Sequence, residues 1–131
     1  MRRLEYVELY PMSHEDVLAS FARDEVSCAT AIVSASLHDE TGFAEQVVRL
    51  GAANPSKIVR GAAMIAISHL ARLHRDTDSV TRLLKEIETG LLDNDPEVRG
   101  KAQETLEDIE VFVPDLINEV LRLRTIKDPG C

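Results

Sequence analysis

Apolar residues recur three and four positions apart along most of the chain, and few stretches alternate with period two. This pattern predicts helices and argues against a large sheet. Ser13 opens the first, running to about Arg23, with Asp16 in the capping-box place and Val17, Leu18 and Phe21 on one face. A second, rich in Ala and Ser, covers about Asp24 to Leu37. The third spans roughly 42–53, with Phe43, Val47, Val48 and Leu50 as its stripe. Asn54-Pro55 then reads as cap and first turn of a long fourth helix, from 55 to about His74, where Val59, Ala63, Ala66, Ile67, Leu70 and Leu73 face inward. The fifth covers about 78–92, burying Val80, Leu83, Leu84, Ile87 and Leu91. Asp95-Pro96 repeats the Asn54-Pro55 device, and the sixth, about 96–112, turns Val98, Ala102, Leu106, Ile109 and Phe112 inward. Pro114 starts a last helix over about 114–125. Residues 1–12 fit either an extended arm or a short helix, and the tail IKDPGC reads as frayed.

These helices repeat. Val59-Arg60-Gly61 recurs as Val98-Arg99-Gly100, 39 residues on, and the same offset pairs Ala63 with Ala102 and Ile67 with Leu106. A weaker copy lies upstream at an offset of 33, matching Val26 to Val59 and Leu37 to Leu70. Three hairpins result, about 13–37, 42–74 and 78–112, each too thin to bury its own apolar face and completed by stacking. The stretches NPSKIVRGAA (54–63) and DNDPEVRGKA (93–102) resemble the second-helix signature of HEAT repeats. That resemblance implies one all-α domain over 1–131, a right-handed α-solenoid of about three HEAT-like hairpins with a capping helix after them. It also implies that Arg60 and Arg99 are structural, pairing with acids of a neighbouring repeat. More narrowly, the chain is similar to short bacterial HEAT-like proteins, some of which are immunity partners of contact-dependent or other polymorphic toxins.

Charge changes the picture more than composition does. With 15 basic and 23 acidic residues the net charge is −8, which disfavours nucleic acid as a partner. The aromatic fraction is 4%, too low for the stacking platforms of a DNA-repair enzyme built on such repeats. The charge is also uneven. Residues 55–85 carry six basic and two acidic side chains, whereas 86–119 carry two basic and eleven acidic. The acidic segment is either a solvated face or a surface that steers a basic partner.

Candidate chemistry is sparse. His14, His38, His69 and His74 include no pair at the spacing of a helical zinc site, so no metal is expected. No catalytic triad spacing, phosphate loop or cofactor motif occurs, and no catalytic residue or cofactor is expected. Cys28 reads as a buried thiol and Cys131 as a tail thiol. No apolar run suits a membrane span, no signal peptide is legible, and a cytoplasmic protein is expected. Gly61 and Gly100 mark either close helix approach or backbone left clear for a partner.

Function is therefore expected at a protein-binding surface. The outer side of the sixth helix carries Gly100, Gln103, Glu104, Glu107 and Val111. The offset of 39 maps these onto Gly61, Met64, Ile65, Ser68 and Arg72. In HEAT stacks the second helices line the concave surface, whose middle would here be apolar and whose last wall acidic. Met64, Ile65, Ser68, Arg72, Gln103, Glu104, Glu107 and Asp108 are the predicted partner-binding residues, with covering of Met64 and Ile65 by neighbouring helices as the competing reading. The resemblance implies a basic cognate toxin domain as partner, plausibly a nuclease. The alternative is an adaptor or assembly scaffold for another protein.

Overall fold

The computed structural model describes residues 10–126, and among them all regular structure is helical. Helix α1 (His14–Ala19) runs into a 3₁₀ turn (Ser20–Ala22). Then come α2 (Glu25–His38), α3 (Thr41–Ala52) and α4 (Lys57–His69), the last widening into a π turn (Leu70–His74). Helices α5 (Thr77–Arg82), α6 (Leu84–Leu91) and α7 (Pro96–Phe112) follow. A 3₁₀ turn (Pro114–Leu116) leads into α8 (Ile117–Arg124). Of the N-terminal segment, only Tyr10 to Met12 are described; they lead into α1 without regular structure, and the Ser34 hydroxyl donates to the Tyr10 carbonyl at 2.6 Å. The expected tail and Cys131 lie outside the described residues.

Short polar side chains start the helices by accepting the free N–H groups of the first turn. Ser13 accepts from the Asp16 N–H at 3.0 Å, Asp24 from Ser27, Asp76 from Asp78 and Ser79, and Asp95 from Glu97 and Val98. The expected Asn54-Pro55 start needs correction. Ser56 is the cap of α4, accepting from Ile58 and Val59, while Asn54 accepts from the Ser56 N–H at 2.9 Å one turn earlier. Asp93 does the same for Asp95 at 3.0 Å. So the cap bonds recur at the 39-residue offset, but Pro55 precedes its helix whereas Pro96 is inside one.

The caps of α2, α4 and α7 are Asp24, Ser56 and Asp95, which lie 32 and 39 residues apart. The upstream offset is thus 32, not 33. At 33, Val26 would match Val59, yet Val26 is 62% exposed and Val59 1%. Aligned on the caps, Ala31, Ala63 and Ala102 coincide and are fully buried. So do Ala35, Ile67 and Leu106.

Consecutive helices pack as partners, α3 on α4 and α6 on α7. The second members also lie side by side, α2 on α4 and α4 on α7, which makes α4 the middle of a row. Two glycines set this spacing. A Cβ on Gly51 of α3 would come within 2.7 Å of Ile32 Cδ1 from α2. A Cβ on Gly90 of α6 would come within 2.7 Å of Met64 Sδ from α4, and 3.2 Å of Ala102 Cβ. Gly51 and Gly90 are also 39 apart. Each is the seat for a large side chain from the preceding second helix.

Charged pairs tie the same units together. Arg60 donates through Nε and Nη2 to the two Asp93 oxygens, at 2.8 and 3.0 Å, bridging α4 to the loop before α7. This is the cross-hairpin pairing expected of Arg60. Arg82 makes the same fork onto buried Glu45, at 2.9 Å for both bonds. Arg99 donates to the Asp93 carbonyl at 2.7 Å, as Arg60 does to those of Asn54 and Pro55.

Several apolar positions depart from the expected stripes. Leu18, Leu50 and Leu73 are 41%, 46% and 50% exposed. Ser20 and Gly51 take the inward places near the first two. The π turn, with more residues per turn than an α-helix, carries Leu73 out of the core stripe. The expected helix over 78–92 breaks at Leu83, whose backbone (φ −104°, ψ 4°) leaves the helical region while its side chain stays fully buried.

Two predictions follow from this packing. Gly100 has nothing within 4 Å of an added Cβ. Gly100→Ala should therefore raise stability by about 0.5–1 kcal/mol through helix propensity alone. Gly90→Ala gains the same propensity but overpacks Met64 and Ala102, which costs about 1–3 kcal/mol. Urea unfolding should show the two substitutions with opposite signs; equal shifts would mean that Gly90 is not a packing seat.

Acid should also unlock the cross-hairpin pairs. The Arg82 guanidinium holds the Glu45 carboxyl below its usual range. Burial pushes Asp93 up, but Arg60 and the Asp95 N–H outweigh it, so Asp93 too lies low. Carboxyls depressed by folding stabilise above their unfolded values and lose that stabilisation as pH falls through the folded ones. Stability should thus decline below about pH 4, and Asp93→Asn with Glu45→Gln should flatten that decline in urea titrations.

Candidate functional site

The second helices carry an exposed face on the side away from the core. Counting from each cap, the residues two places on are Val26, Ile58 and Glu97, all exposed. Five places on are Ala29, Gly61 and Gly100, and nine places on are Val33, Ile65 and Glu104. In each helix these positions share one face, because 3.6 residues make a turn. All of them but Gly100 and Glu104 line a groove of about 490 Å³ across α2, α4 and the start of α7. Apart from Thr30 and Lys57 its α2 and α4 portion is apolar, and Val26 and Ile58 stand open at 62% and 43% exposure.

Charged side chains border the groove. Glu97 and Lys101 of α7 line one end, and Lys57 reaches across to Asp95 at 3.4 Å. Gly61 serves close approach: an added Cβ would lie 3.1 Å from Lys101 Cδ, so the aliphatic stem of Lys101 rests on the α4 backbone. Gly100 holds the equivalent place on α7 and meets no neighbour.

The eight predicted partner-binding residues separate into three groups. Met64 and Ser68 are buried and need correction. Met64 sits on Gly90, and Ser68 donates to the Thr105 hydroxyl at 3.0 Å inside the α4–α7 contact. That hydroxyl also lies 2.9 Å from the carbonyls of Met64 and Lys101. Ile65 is half-buried and lines the groove, as predicted. Gln103, Glu104 and Glu107 are exposed on α7. Arg72 and Asp108 form a separate group at the far end of α4. Arg72 donates to His69 Nδ1 at 2.7 Å, and Asp108 acts on the same imidazole through its charge.

The mapping failed at Met64 and Ser68 for a definite reason. Helix α4 has neighbours on both flanks, while α7 is the last of the row among the described residues. Positions that α7 leaves to solvent, Gln103 and Glu107, are in α4 the ones pressed against the next hairpin. The groove residues Val26, Ala29, Val33 and Ile58 were missed as site residues. The signal for them was the cap: two, five and nine residues past each cap, the sequence reads Val-Ala-Val, Ile-Gly-Ile and Glu-Gly-Glu.

No other arrangement of chemistry competes with the groove. Among the described residues, no group of three or more His, Cys, Asp or Glu is placed to hold a metal ion. No described helix is long and apolar enough to cross a membrane. Cys28 is buried, and burial pushes its thiol pKa up, away from the reactive thiolate. Compared with known proteins, the chain matches no protein family, no curated protein and no solved structure.

The His69 cluster makes a prediction of its own. Burial, with the Arg72 charge beside it, lowers the His69 pKa against a smaller opposing pull from Asp108. A histidine lowered by folding takes up its proton more readily when unfolded, so stability falls as pH drops from about 6.5 towards the folded value. His69→Gln should remove this slope in thermal melts across that range; an unchanged slope would assign it to another group.

Proposed function

We propose that the chain is a right-handed α-solenoid of three HEAT-like hairpins closed by α8, and that it works without catalysis, by binding another protein. Support for the solenoid comes from the aligned caps, the coincident buried alanines and the Arg60–Asp93 link between hairpins. The observation that carries the binding function is the groove. It leaves Val26 and Ile58 uncovered, bordered by Glu97, Lys57 and Lys101, with the exposed carboxylates of Glu104 and Glu107 further along α7. An apolar centre with a charged border is the anatomy of a protein interface.

The net charge of −8 and the exposed carboxylates along α7 favour a basic partner. The narrower reading is immunity: the chain occludes a cognate nuclease toxin domain, whose own surface must be basic to hold nucleic acid. Blockade would be steric and electrostatic. Steering by the acidic side raises the association rate, and salt screens it.

The test is binding of the product of the adjacent reading frame, measured by interferometry over a salt series. Glu104→Lys with Glu107→Lys should slow association, by about tenfold or more at low salt, and flatten its salt dependence. A complex with unchanged kinetics would remove the acidic side of α7 from the interface. A neighbouring product that neither binds nor poisons cells would remove the immunity reading.

A further inference from the structure

We infer that the groove is covered, when no partner is bound, by the chain's own residues 1–9, with Glu5 and Glu8 brought to Lys101 and Lys57. This goes beyond the protein-binding reading. It needs no partner, and any partner of the groove must displace the segment.

The described chain begins beside the groove. The buried Ser34 hydroxyl donates to the Tyr10 carbonyl at 2.6 Å. Ser34 follows Val33 and stands four residues after Thr30, and both of those line the groove. Residues four apart share one side of a helix, so Tyr10 is held at the α2 edge of the groove. Pro11 reinforces this start, because the residue before a proline is kept extended.

Length allows the crossing. The nine residues before Tyr10 span at most about 30 Å. Packed helices lie about 8–10 Å apart, so the way from α2 over α4 to α7 is about 16–20 Å.

The surface to be covered is apolar and open. Val26 and Ile58 are 62% and 43% exposed, with Val33 and Ile65 across from them. The segment supplies Leu4, Tyr6, Val7 and Leu9. Covering one apolar set with the other removes both from water. The tether at Tyr10 makes this an intramolecular event, so a contact too weak to hold a free peptide can close it.

Charges along the groove and the segment run in matching order. From α2 towards α7 the lining presents Lys57, then Lys101, whose stem lies over Gly61 of α4, then Glu97. From Tyr10 backwards the segment presents Glu8, Glu5, then Arg3 and Arg2. Lys57 holds Asp95 at 3.4 Å, yet its side chain stays 58% exposed. The Lys101 ammonium has no partner among the described residues, not even Glu97 one turn before it. Extended chain puts Glu5 at most about 17 Å and Arg3 about 23 Å from Tyr10, which reaches the space between α4 and α7 and then α7 itself.

The test is paramagnetic broadening within the full chain. A nitroxide is attached at Arg2→Cys in a Cys131→Ser background, Cys28 being buried. Amides of Ile58, Gly61, Glu97 and Lys101 should broaden more than those of α5 and α8. Glu5→Lys with Glu8→Lys should lower the docked-to-free ratio about fivefold and fade the broadening. Adding Lys101→Glu to that variant should restore part of it. Deleting residues 2–9 should shift the same groove amides and leave the far-UV spectrum of the helices in place. Broadening spread evenly or centred elsewhere would overturn the inference, as would broadening indifferent to the charge reversal. Broadening found only between copies, in a mixture of nitroxide-labelled and isotope-labelled chains, would assign the groove to a second copy and overturn it too.

Discussion

Helix α4 must be covered on two flanks at once, and the rest of the fold follows from how it manages that. A helix flanked by α2 on one side and α7 on the other can keep close neighbours only if the facing residues are small. Ala31, Ala63 and Ala102 supply that, at the same place past each cap. The large side chains that remain, Ile32 and Met64, then have no room between second helices. They are sent onto the next first helix, where Gly51 and Gly90 receive them. Close-packed interiors tolerate neither a void nor a spare methylene at such seats. The spacing of the row, and hence the width of its exposed face, is set at these two contacts.

The end of the row explains why chemically similar positions play different parts. On α7, Gln103 and Glu107 stand where α4 has Met64 and Ser68. No further second helix follows among the described residues, so these polar side chains face solvent. Glu97 lies on another side of the same helix and lines the groove. The acidity of α7 thus divides between solvation of an end and the border of a groove. Net charge alone could not separate the two; angular position around the helix does.

This division shows what was legible in the sequence. Periodicity located the helices, and the 39-residue repeat located equivalent residues so well that paired caps and paired arginine bonds recur at that offset. Both signals are local or compare like with like. Which flank of α4 is covered depends on what stacks next to it, and that is a property of position in the row. Met64 and Ser68 were misplaced for this reason. The first hairpin was read one residue out because Val26 and Val59 look alike by type, whereas the caps Asp24 and Ser56 fix the phase. Leu83 and Leu73 mislead in another way. A buried leucine does not reveal that its backbone breaks the helix, and a π turn changes the period on which the stripe is read.

The polar links between hairpins also have a spatial order. Glu25 meets Ser56, Lys57 meets Asp95, and Arg60 meets Asp93, all at the capped ends of the second helices. At the opposite end, Arg75 lies over the Phe112 ring at 5.4 Å. Arg75 holds that place in a left-handed backbone conformation (φ 49°) that ordinarily favours glycine, so the contact is kept against a local backbone cost. Cross-links at the two ends hold the hairpins in register and leave the stretch between them to small and apolar side chains. Covering that stretch strips water from few polar groups, which is where association loses least to desolvation. The same arrangement that fixes the helices thus leaves their middle to small and apolar side chains.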